Sequence, residues 1–566
     1  MALKKYAPTL RWAWLALVVL IAFGVLIAGL AKPRVPAANA SVFPPPVSQL
    51  DPTSWKVASI SDVDRWTDRI DRLWLADLDA KNLDPAPDAD WLTLCRRLSL
   101  TLVGSGVSLE EIRDLETLPE HQRFSTHRER LLKDPRFHHY FGERWARILV
   151  GTDGGEFLAY RRRRFRTWLA GCFEQNWTHD RLVKQLITAE GIWTGNPEVN
   201  FLTATFDTGE NQPDPVRLAA RTSRAFLGLR IDCLQCHDDF LGNVALGDIH
   251  SPREGLQSDF HQLASFFTAA KSEGITGIYD GDVDYEFQYL DASETVKVPA
   301  KVPFQPELLP EEGDARDRLA AWITHPKNRQ AARAAVHHYW ALIYGQPLEA
   351  EVDDLPLDSD PHPMLDALAD LFVESEFNVR DLIRVLTSIG PFQVGSRYDS
   401  GIEVTRVHER HMAVFPITRL RPEQVAGALT QAARVQTIDR DSTFLIQLLA
   451  NTGINEFVTR YGDVGEDQFS DESGTITQRL LMMNGDMLRE LAEHNPLMNT
   501  SAHVSMYQAS HEKMVEALYL ATLNRQPTAI ESEHFASRLN EADDRNEMVE
   551  DITWVLMNSS EMAWNH

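Results

Sequence analysis

Cysteine is scarce in this sequence, which has four in 566 residues, at positions 95, 172, 233 and 236. With so few thiols, the chain does not depend on a disulfide framework for its fold. Three short enzyme motifs are also absent: the G-x-S-x-G nucleophile motif, the H-E-x-x-H zinc motif and the phosphate-binding P-loop. Motif searching therefore names no substrate.

Basic residues are also few, with 56 Lys and Arg against 82 Asp and Glu, for a net charge of −26. The first 34 residues contain five of the basic residues and none of the acidic ones, so the rest of the chain carries −31. Such a surface repels nucleic acid and anionic lipid and favours a basic partner. We therefore predict no nucleic-acid binding.

Two of the four cysteines belong to the pentapeptide Cys233-Leu234-Gln235-Cys236-His237, a C-x-x-C-H sequence typical of c-type haem attachment. Two thiols at this spacing can each add to a vinyl group of one porphyrin, and the adjacent imidazole then ligates the iron. We predict one covalent haem c on Cys233 and Cys236, with His237 as the proximal ligand. The alternatives are a disulfide and half of a zinc site, the latter weakened because no second cysteine pair exists.

Covalent haem attachment takes place outside the cytoplasm, so the N-terminus is expected to direct export. An uncharged run from Trp12 to Ala31 follows Lys4, Lys5 and Arg11, and its 20 residues would span about 30 Å as a helix. We predict an uncleaved single-pass anchor in the cell membrane, with the bulk of the chain in the periplasm or exterior. The alternative is a signal peptide cleaved near Ala38-Asn39-Ala40, which would give a secreted protein.

Apolar spacing predicts a mainly α-helical protein. Trp91, Leu94, Cys95, Leu98 and Leu102 recur at helical spacing, which makes Cys95 a predicted core residue. Ser108-Leu109-Glu110-Glu111 is a capping box that starts the next helix. A further helix over 217–229 leads directly into Cys233.

Alternating apolar residues at 285–289 and 296–298 predict one small β excursion between two helical regions. The predicted organisation is an N-terminal anchor or signal over 1–34, a tether over 35–60, a haem-bearing helical domain over 61–272, a β-containing linker over 273–312 and a second helical domain over 313–566.

Several stretches resemble a known pair of domains. Arg96-Arg97-Leu98, Glu143-Arg144-Trp145-Ala146, Phe226-Leu227-Gly228-Leu229 and the C-x-x-C-H motif resemble the domain of unknown function 1549. Arg318 to Ile323, His362-Pro363, Met483-Asn484-Gly485 and Leu518 to Thr528 resemble the domain of unknown function 1553. The resemblance implies a planctomycete-type cytochrome c family, secreted or anchored, whose activity is not established.

Two departures from that resemblance bear on the site. The family usually continues the motif as Cys-His-Asp-His-Lys, whereas Asp239 and Phe240 occupy the last two places here. The family also usually has an Asn-Arg pair before the tryptophan that this chain keeps as Trp340, and here the pair is His337-His338. Any role of the second motif histidine is therefore lost or moved, and two new imidazoles appear.

The ligand on the far side of the iron decides between electron transfer and small-molecule chemistry. His250 and His261 are candidates because they lie close in sequence to the motif, and His337 and His338 are weaker ones. The methionine candidates are Met412, Met482, Met483 and Met487. Each of these side chains is more often a core or surface residue than a ligand.

The sequence favours a membrane-anchored, mono-haem c-type cytochrome that transfers electrons to or from a redox partner protein, and the negative charge of the chain favours a basic partner. One alternative is a haem-dependent oxidoreductase with an open iron site. The other is a structural or partner-binding protein in which the two cysteines form a disulfide and no haem is bound.

Overall fold

Helices make up most of the described chain, as the apolar spacing predicts. The computed structural model describes residues 60–566 except 153–159, 207–211, 241, 243, 248–250, 252, 274–276, 291–292, 350, 439–479, 481–482, 484–485, 494–498 and 509. None of the helices in this part combines the length and apolar composition needed to cross a bilayer. The predicted anchor, residues 12–31, lies outside the described residues.

The helices that precede the β excursion are α1 Ile60–Lys81, α2 Trp91–Val103, α3 Leu109–Glu116, α4 Glu120–Leu131, α5 Pro135–Val150, α6 Arg162–Glu174, α7 His179–Ile187, α8 Asn200–Thr203, α9 Pro215–Thr222 and α10 Gln257–Ala264. Short 3-10 turns occur at Pro197–Val199, Asp232–Gln235 and Ser265–Phe267, and a π-helical turn at Ser223–Leu227.

The helices that follow are α11 Ala315–Ile323, α12 Arg329–Tyr344, α13 Pro363–Glu374, α14 Val379–Leu386, α15 Gly390–Gln393, α16 Arg406–Arg410, α17 Pro422–Ala432, α18 Asp486–Ala492, α19 Thr500–Tyr507, α20 His511–Leu523, α21 Ala529–Glu541 and α22 Arg545–Met557. Further 3-10 turns occur at Pro306–Leu308 and Glu561–Ala563.

Side-chain caps fix where several helices begin. The predicted capping box is confirmed at α3, where the Ser108 hydroxyl accepts from the Glu111 amide and the Glu111 carboxylate accepts from the Ser108 amide, each at 3.0 Å. Asp90 caps α2 and Asp134 caps α5 in the same manner. Each cap satisfies backbone N–H groups that would otherwise have no partner inside the helix.

Three short antiparallel pairs make up the described β structure. They join β1 Ala270–Ser272 to β2 Ile278–Asp280, β3 Glu286–Phe287 to β4 Val296–Lys297, and β5 Thr418–Arg419 to β6 Trp564–Asn565. The second pair lies in the two stretches whose alternation predicts the β excursion, and it confirms that prediction. The first pair was not predicted, and its strand β1 precedes the predicted linker. The third was not predicted, because its strands are two residues long and far apart in the sequence.

One apolar cluster combines residues that are far apart in the described chain. Leu92 and Cys95 of α2 pack in it with Val425 of α17, Leu518 of α20 and Ile552 of α22, all at most 5% exposed. Cys95 is fully buried there, which confirms its prediction as a core residue. Helices from before and after the β excursion therefore share one core.

Polar contacts also cross the predicted linker. Arg65 and Arg69 of α1 form ion pairs with Glu374 and Asp370 of α13. The fully buried guanidinium of Arg316 pairs with Asp280 at 2.7 Å and also donates to two backbone carbonyls that follow α7. The described residues belong to one compact unit, Val57–His566, and the predicted domain limits within it stay a prediction.

Candidate functional site

The chain reaches the C-x-x-C-H motif through a distorted helix end. Helix α9 continues into the π-helical turn Ser223–Leu227 and stops at Gly228, whose φ is +59°. A β-carbon at Gly228 would lie 3.1 Å from Ala334 and 3.2 Å from Leu355, so a larger residue would be both strained and crowded. The approach to the motif is thus packed against α12.

The motif itself forms a 3-10 turn over Asp232–Gln235. Leu234 points inwards and is fully buried, whereas Cys233, Cys236 and His237 are exposed. Gly255 lies beneath the turn, and a β-carbon there would come within 2.7 Å of the Leu234 side chain. The buried leucine anchors the turn and leaves its three chemically active side chains on the surface.

The imidazole of His237 is held by its own backbone. Its Nδ1 lies 2.7 Å from the carbonyl oxygen of Asp238. Because a carbonyl only accepts, Nδ1 must carry the proton, and Nε2 then keeps a free lone pair. Histidines that bind metals generally donate their other N–H to a carbonyl or carboxylate in this manner. The tautomer is therefore the one that an iron ligand requires.

A second histidine supports the turn from below. The carbonyl of Gln235 accepts from His261 Nε2 at 3.1 Å and from the Gln257 side chain at 3.2 Å. The backbone N–H of Gln257 also donates to the Asp238 carboxylate at 2.6 Å. Two residues of α10 thus hold the motif on both sides of Cys236.

Both ring nitrogens of His261 are engaged. Nδ1 lies 2.8 Å from the Tyr285 hydroxyl, and the ring stacks on Phe287 with centroids 3.5 Å apart. The ring is 1% exposed, and burial lowers its pKa, so it is neutral at neutral pH. In this arrangement His261 offers no lone pair to an iron and acts as a support for the turn.

The β3–β4 hairpin supplies the aromatic face that covers His261. Tyr285, Phe287 and Tyr289 contact its ring, while the intervening Glu286 and Gln288 are exposed. The alternation that predicts the strand also produces this face, because alternate residues of a strand point to opposite sides.

Residues 69–271 match the family PSCyt2, described as a protein of unknown function (DUF1549). Residues 315–447 match PSD1, described as a protein of unknown function (DUF1553). The two matches occur in the predicted order, and they confirm the predicted pair of domains. No curated protein and no solved structure matches the chain.

The whole C-x-x-C-H motif and its supporting helix α10 lie in the DUF1549 match. Asp239, which replaces the usual second histidine, is buried; its amide donates to the Gly255 carbonyl and its carboxylate accepts from the Val244 amide at 2.6 Å. The substituted residue thus closes the loop after the motif. Phe240, which replaces the usual lysine, is 76% exposed and stacks on His237 with centroids 6.3 Å apart.

One thiol of the motif, that of Cys233, has a pKa shifted in the direction opposite to that of redox-active C-x-x-C thiols. All four cysteines are unpaired, and Cys95 and Cys172 are buried. Burial, with help from the Asp239 charge, raises the pKa of Cys233. Redox-active C-x-x-C thiols instead have a lowered pKa. Among the described residues, no cluster of three or more His, Cys, Asp or Glu could hold a metal ion, so nothing there completes a zinc site.

His337 and His338, which lie in the DUF1553 match, are buried in α12. His337 Nδ1 lies 3.2 Å from the Val352 carbonyl, and its Nε2 accepts from the Leu348 and Glu349 amides at 3.1 Å. Burial lowers its pKa to about 3. His338 packs edge-on to Trp145, with ring centroids 5.9 Å apart. His337 therefore organises a loop, and no contact joins either ring to the motif.

The remaining ligand candidates do not meet the motif in the described structure. His250 and Met482 lie outside the described residues, and so does the side chain of Met487. Met412 is buried, with its sulfur 3.8 Å from the Gln346 amide nitrogen, and Met483 is 45% exposed.

Sequence reasoning missed Gln257, Gly255 and Tyr285, which form the support of the motif. The alternation at 285–289 could have identified Tyr285 as inward-facing, but no sequence signal links Gln257 to the Gln235 carbonyl.

Proposed function

We propose that this protein is a mono-haem c-type cytochrome. Cys233 and Cys236 hold one haem c covalently, and His237 ligates its iron through Nε2. The residues present fit this group, because two exposed unpaired thiols stand next to an exposed imidazole of the required tautomer. The observation that carries the proposal is the 2.7 Å contact between His237 Nδ1 and the Asp238 carbonyl.

A haem bound there supplies one-electron chemistry. The chain's own groups then orient the site: the Asp238 carbonyl holds the imidazole plane, and His261 and Gln257 keep the turn in place through the Gln235 carbonyl. Because the thiols and His237 are exposed, an electron has a short path to a partner at the surface. Electron transfer with a redox partner protein is therefore the proposed activity.

The proposal includes location. Haem attachment requires export, and the run from Trp12 to Ala31 would anchor the chain in the cell membrane with its bulk in the periplasm or exterior. Fractionation of cells that express the full chain tests this. We expect the protein in the membrane fraction, and its appearance in the medium would instead support cleavage and secretion.

One observation favours a second function, a haem-dependent oxidoreductase with an open iron site. Both ring nitrogens of His261 form hydrogen bonds, to the Tyr285 hydroxyl and the Gln235 carbonyl, so this histidine gives the iron no second imidazole ligand. Carbon monoxide distinguishes the two functions. Ready binding to the reduced protein at neutral pH would indicate an open position and favour the oxidoreductase, whereas no binding would indicate a saturated iron suited to electron transfer.

The direct test is mass analysis of the mature polypeptide made in a host competent for cytochrome maturation, together with a pyridine haemochrome spectrum. We expect the added mass of one porphyrin and a c-type spectrum. Replacing both motif cysteines, Cys233→Ala with Cys236→Ala, should abolish the covalent attachment, while the matched control Cys172→Ala, at a buried cysteine far along the chain, should retain it. Folded wild-type protein without added porphyrin would refute the proposal and favour the non-haem alternative.

A further inference from the structure

We infer that the surface around the C-x-x-C-H motif is a docking surface for a basic electron-transfer protein. The inference rests on the proposed function and goes beyond it, because it names the face of the molecule and the charge of the partner. The motif surface is defined here as the exposed side chains of Glu254, Leu256, Phe240, Leu290, Glu286 and Glu294.

Large apolar side chains are exposed at the centre of the motif surface. Phe240 is 76% exposed, Leu290 69% and Leu256 43%. Exposed apolar side chains that cluster, rather than occur singly, mark interaction sites in soluble proteins. Three of them at one place therefore indicate a contact with another molecule.

A ring contact and two hydrogen bonds connect the segments that carry these side chains to the motif. Phe240 stacks on His237. The backbone N–H of Leu290 donates to the side-chain oxygen of Gln257 at 3.2 Å. The backbone N–H of Gln257 donates in turn to the carboxylate of Asp238, the residue after the motif. Leu256 is the neighbour of Gln257 in the sequence. All three residues thus belong to segments that contact the motif or Asp238, the residue after it.

Three exposed carboxylates lie on the same segments as the apolar residues. Glu254 lies two residues before Leu256, and Glu286 and Glu294 lie on the two sides of Leu290 in the β3–β4 hairpin. No ion pair is found for any of the three among the described residues. Lys301 is an exposed cation of the same region, so the carboxylates outnumber it.

The other nearby cations are already neutralised. Arg253 pairs with Asp259 at 2.6 Å, and Lys297 pairs with Asp284 at 2.5 Å. The rim of the motif surface is therefore negative. An apolar centre with a rim of one sign is the anatomy of an interface whose partner carries the opposite charge, and charge complementarity at the rim mainly raises the rate of encounter. A lysine-rich protein fits this rim, and an acidic one would be repelled.

The test measures binding of the holoprotein to a lysine-rich soluble c-type cytochrome by calorimetry, with electron-transfer rates followed in parallel. The variant reverses the rim with Glu254→Lys, Glu286→Lys and Glu294→Lys. We expect the affinity and the bimolecular rate at about 20 mM ionic strength to fall roughly tenfold or more, and the wild-type rate to fall as salt rises.

A control of identical net charge separates local from global electrostatics. Glu533→Lys, Asp543→Lys and Asp551→Lys reverse three exposed carboxylates on α21, α22 and the loop between them. We expect them to change the affinity less than twofold. Equal losses in both triple variants, or equal binding of an acidic plant-type ferredoxin by the wild type, would overturn the inference.

A third variant examines the apolar centre. Leu290→Ser should weaken binding of the lysine-rich probe and leave haem content unchanged. If it lowers haem content and leaves binding unchanged, Leu290 covers the porphyrin and the docking inference fails there. Haem content is measured on every variant, so a haem-free wild type would refute the proposed function, while calorimetry would still decide whether the surface binds a basic protein.

Discussion

Replacing His261 and Gln257, singly and together, tests whether both side chains hold the motif through one carbonyl oxygen. His261→Phe keeps an aromatic ring against Phe287 but removes the hydrogen bonds to Gln235 and Tyr285. Gln257→Leu keeps the bulk of the side chain and removes its bonds to the Gln235 carbonyl and the Leu290 amide.

The expected magnitudes follow from the number of bonds lost. Each hydrogen bond contributes about 0.5–1.5 kcal/mol net, so each single variant should lower the free energy of unfolding by about 1–3 kcal/mol. In either single variant the Gln235 carbonyl keeps one hydrogen-bond donor. In the double variant it loses both donors, and the side chains at positions 257 and 261 that cover it are buried. The loss in the double variant should therefore exceed the sum of the single losses by about 1 kcal/mol.

The free energies are measured by urea unfolding, followed by tryptophan fluorescence and circular dichroism. Haem content and the visible spectrum are recorded on the same samples. We expect lower covalent haem content in the double variant, because the turn is no longer fixed. Additive losses would refute the shared carbonyl. A change of His261→Phe from a spectrum without carbon monoxide binding to one with it would show that His261 is the iron ligand, contrary to the engaged nitrogens.

Two further predictions concern stability. Burial lowers the pKa of His179 to about 3, whereas in the unfolded chain this histidine binds a proton below about pH 6.5. The folded state is therefore destabilised as the pH falls below 6.5. For this residue the free energy of unfolding decreases by about 1.4 kcal/mol per pH unit. His179→Phe should reduce the slope of the free energy of unfolding between pH 6 and 4.5 by that amount, and an unchanged slope would contradict the neutral assignment. A β-carbon at Gly427 would lie 2.1 Å from the Gly104 carbonyl, so Gly427→Ala should destabilise by about 1–3 kcal/mol in thermal unfolding. The control Gly171→Ala, in α6 with no atom within 4 Å of the new group, should stabilise by about 0.5–1 kcal/mol; the same sign for both would refute the packing argument.

Local patterns in the sequence were enough to predict the helical class, because helix caps and apolar spacing act within a few residues. The capping box at Ser108 and the buried Cys95 are examples. The start of α5 follows a local rule as well, because Asp134 caps the helix and Pro135 occupies its first turn. The pairing of Thr418–Arg419 with Trp564–Asn565 depends on tertiary contact alone, so no local pattern predicts it.

The candidate site also has a part that a local sequence pattern predicts and a part that depends on tertiary contacts. The C-x-x-C-H spacing predicts Cys233, Cys236 and His237 as the haem-binding residues, because that motif lies in five consecutive residues. The role of His261 was not predictable, since its partners Gln235 and Tyr285 lie 26 and 24 residues away. Proximity in the sequence suggests His261 as an iron ligand, whereas in the structure both of its ring nitrogens form hydrogen bonds to Gln235 and Tyr285.

The common core of α2, α17, α20 and α22 has a consequence for protein engineering. Leu92 and Cys95 come from the DUF1549 match, Val425 from the DUF1553 match and Leu518 from beyond both. Either segment produced alone would expose its apolar side chains of this core to water and aggregate. Dividing the chain between the two segments would therefore split this core, and a chimera must exchange the residues that meet at the contact as well as the segments themselves.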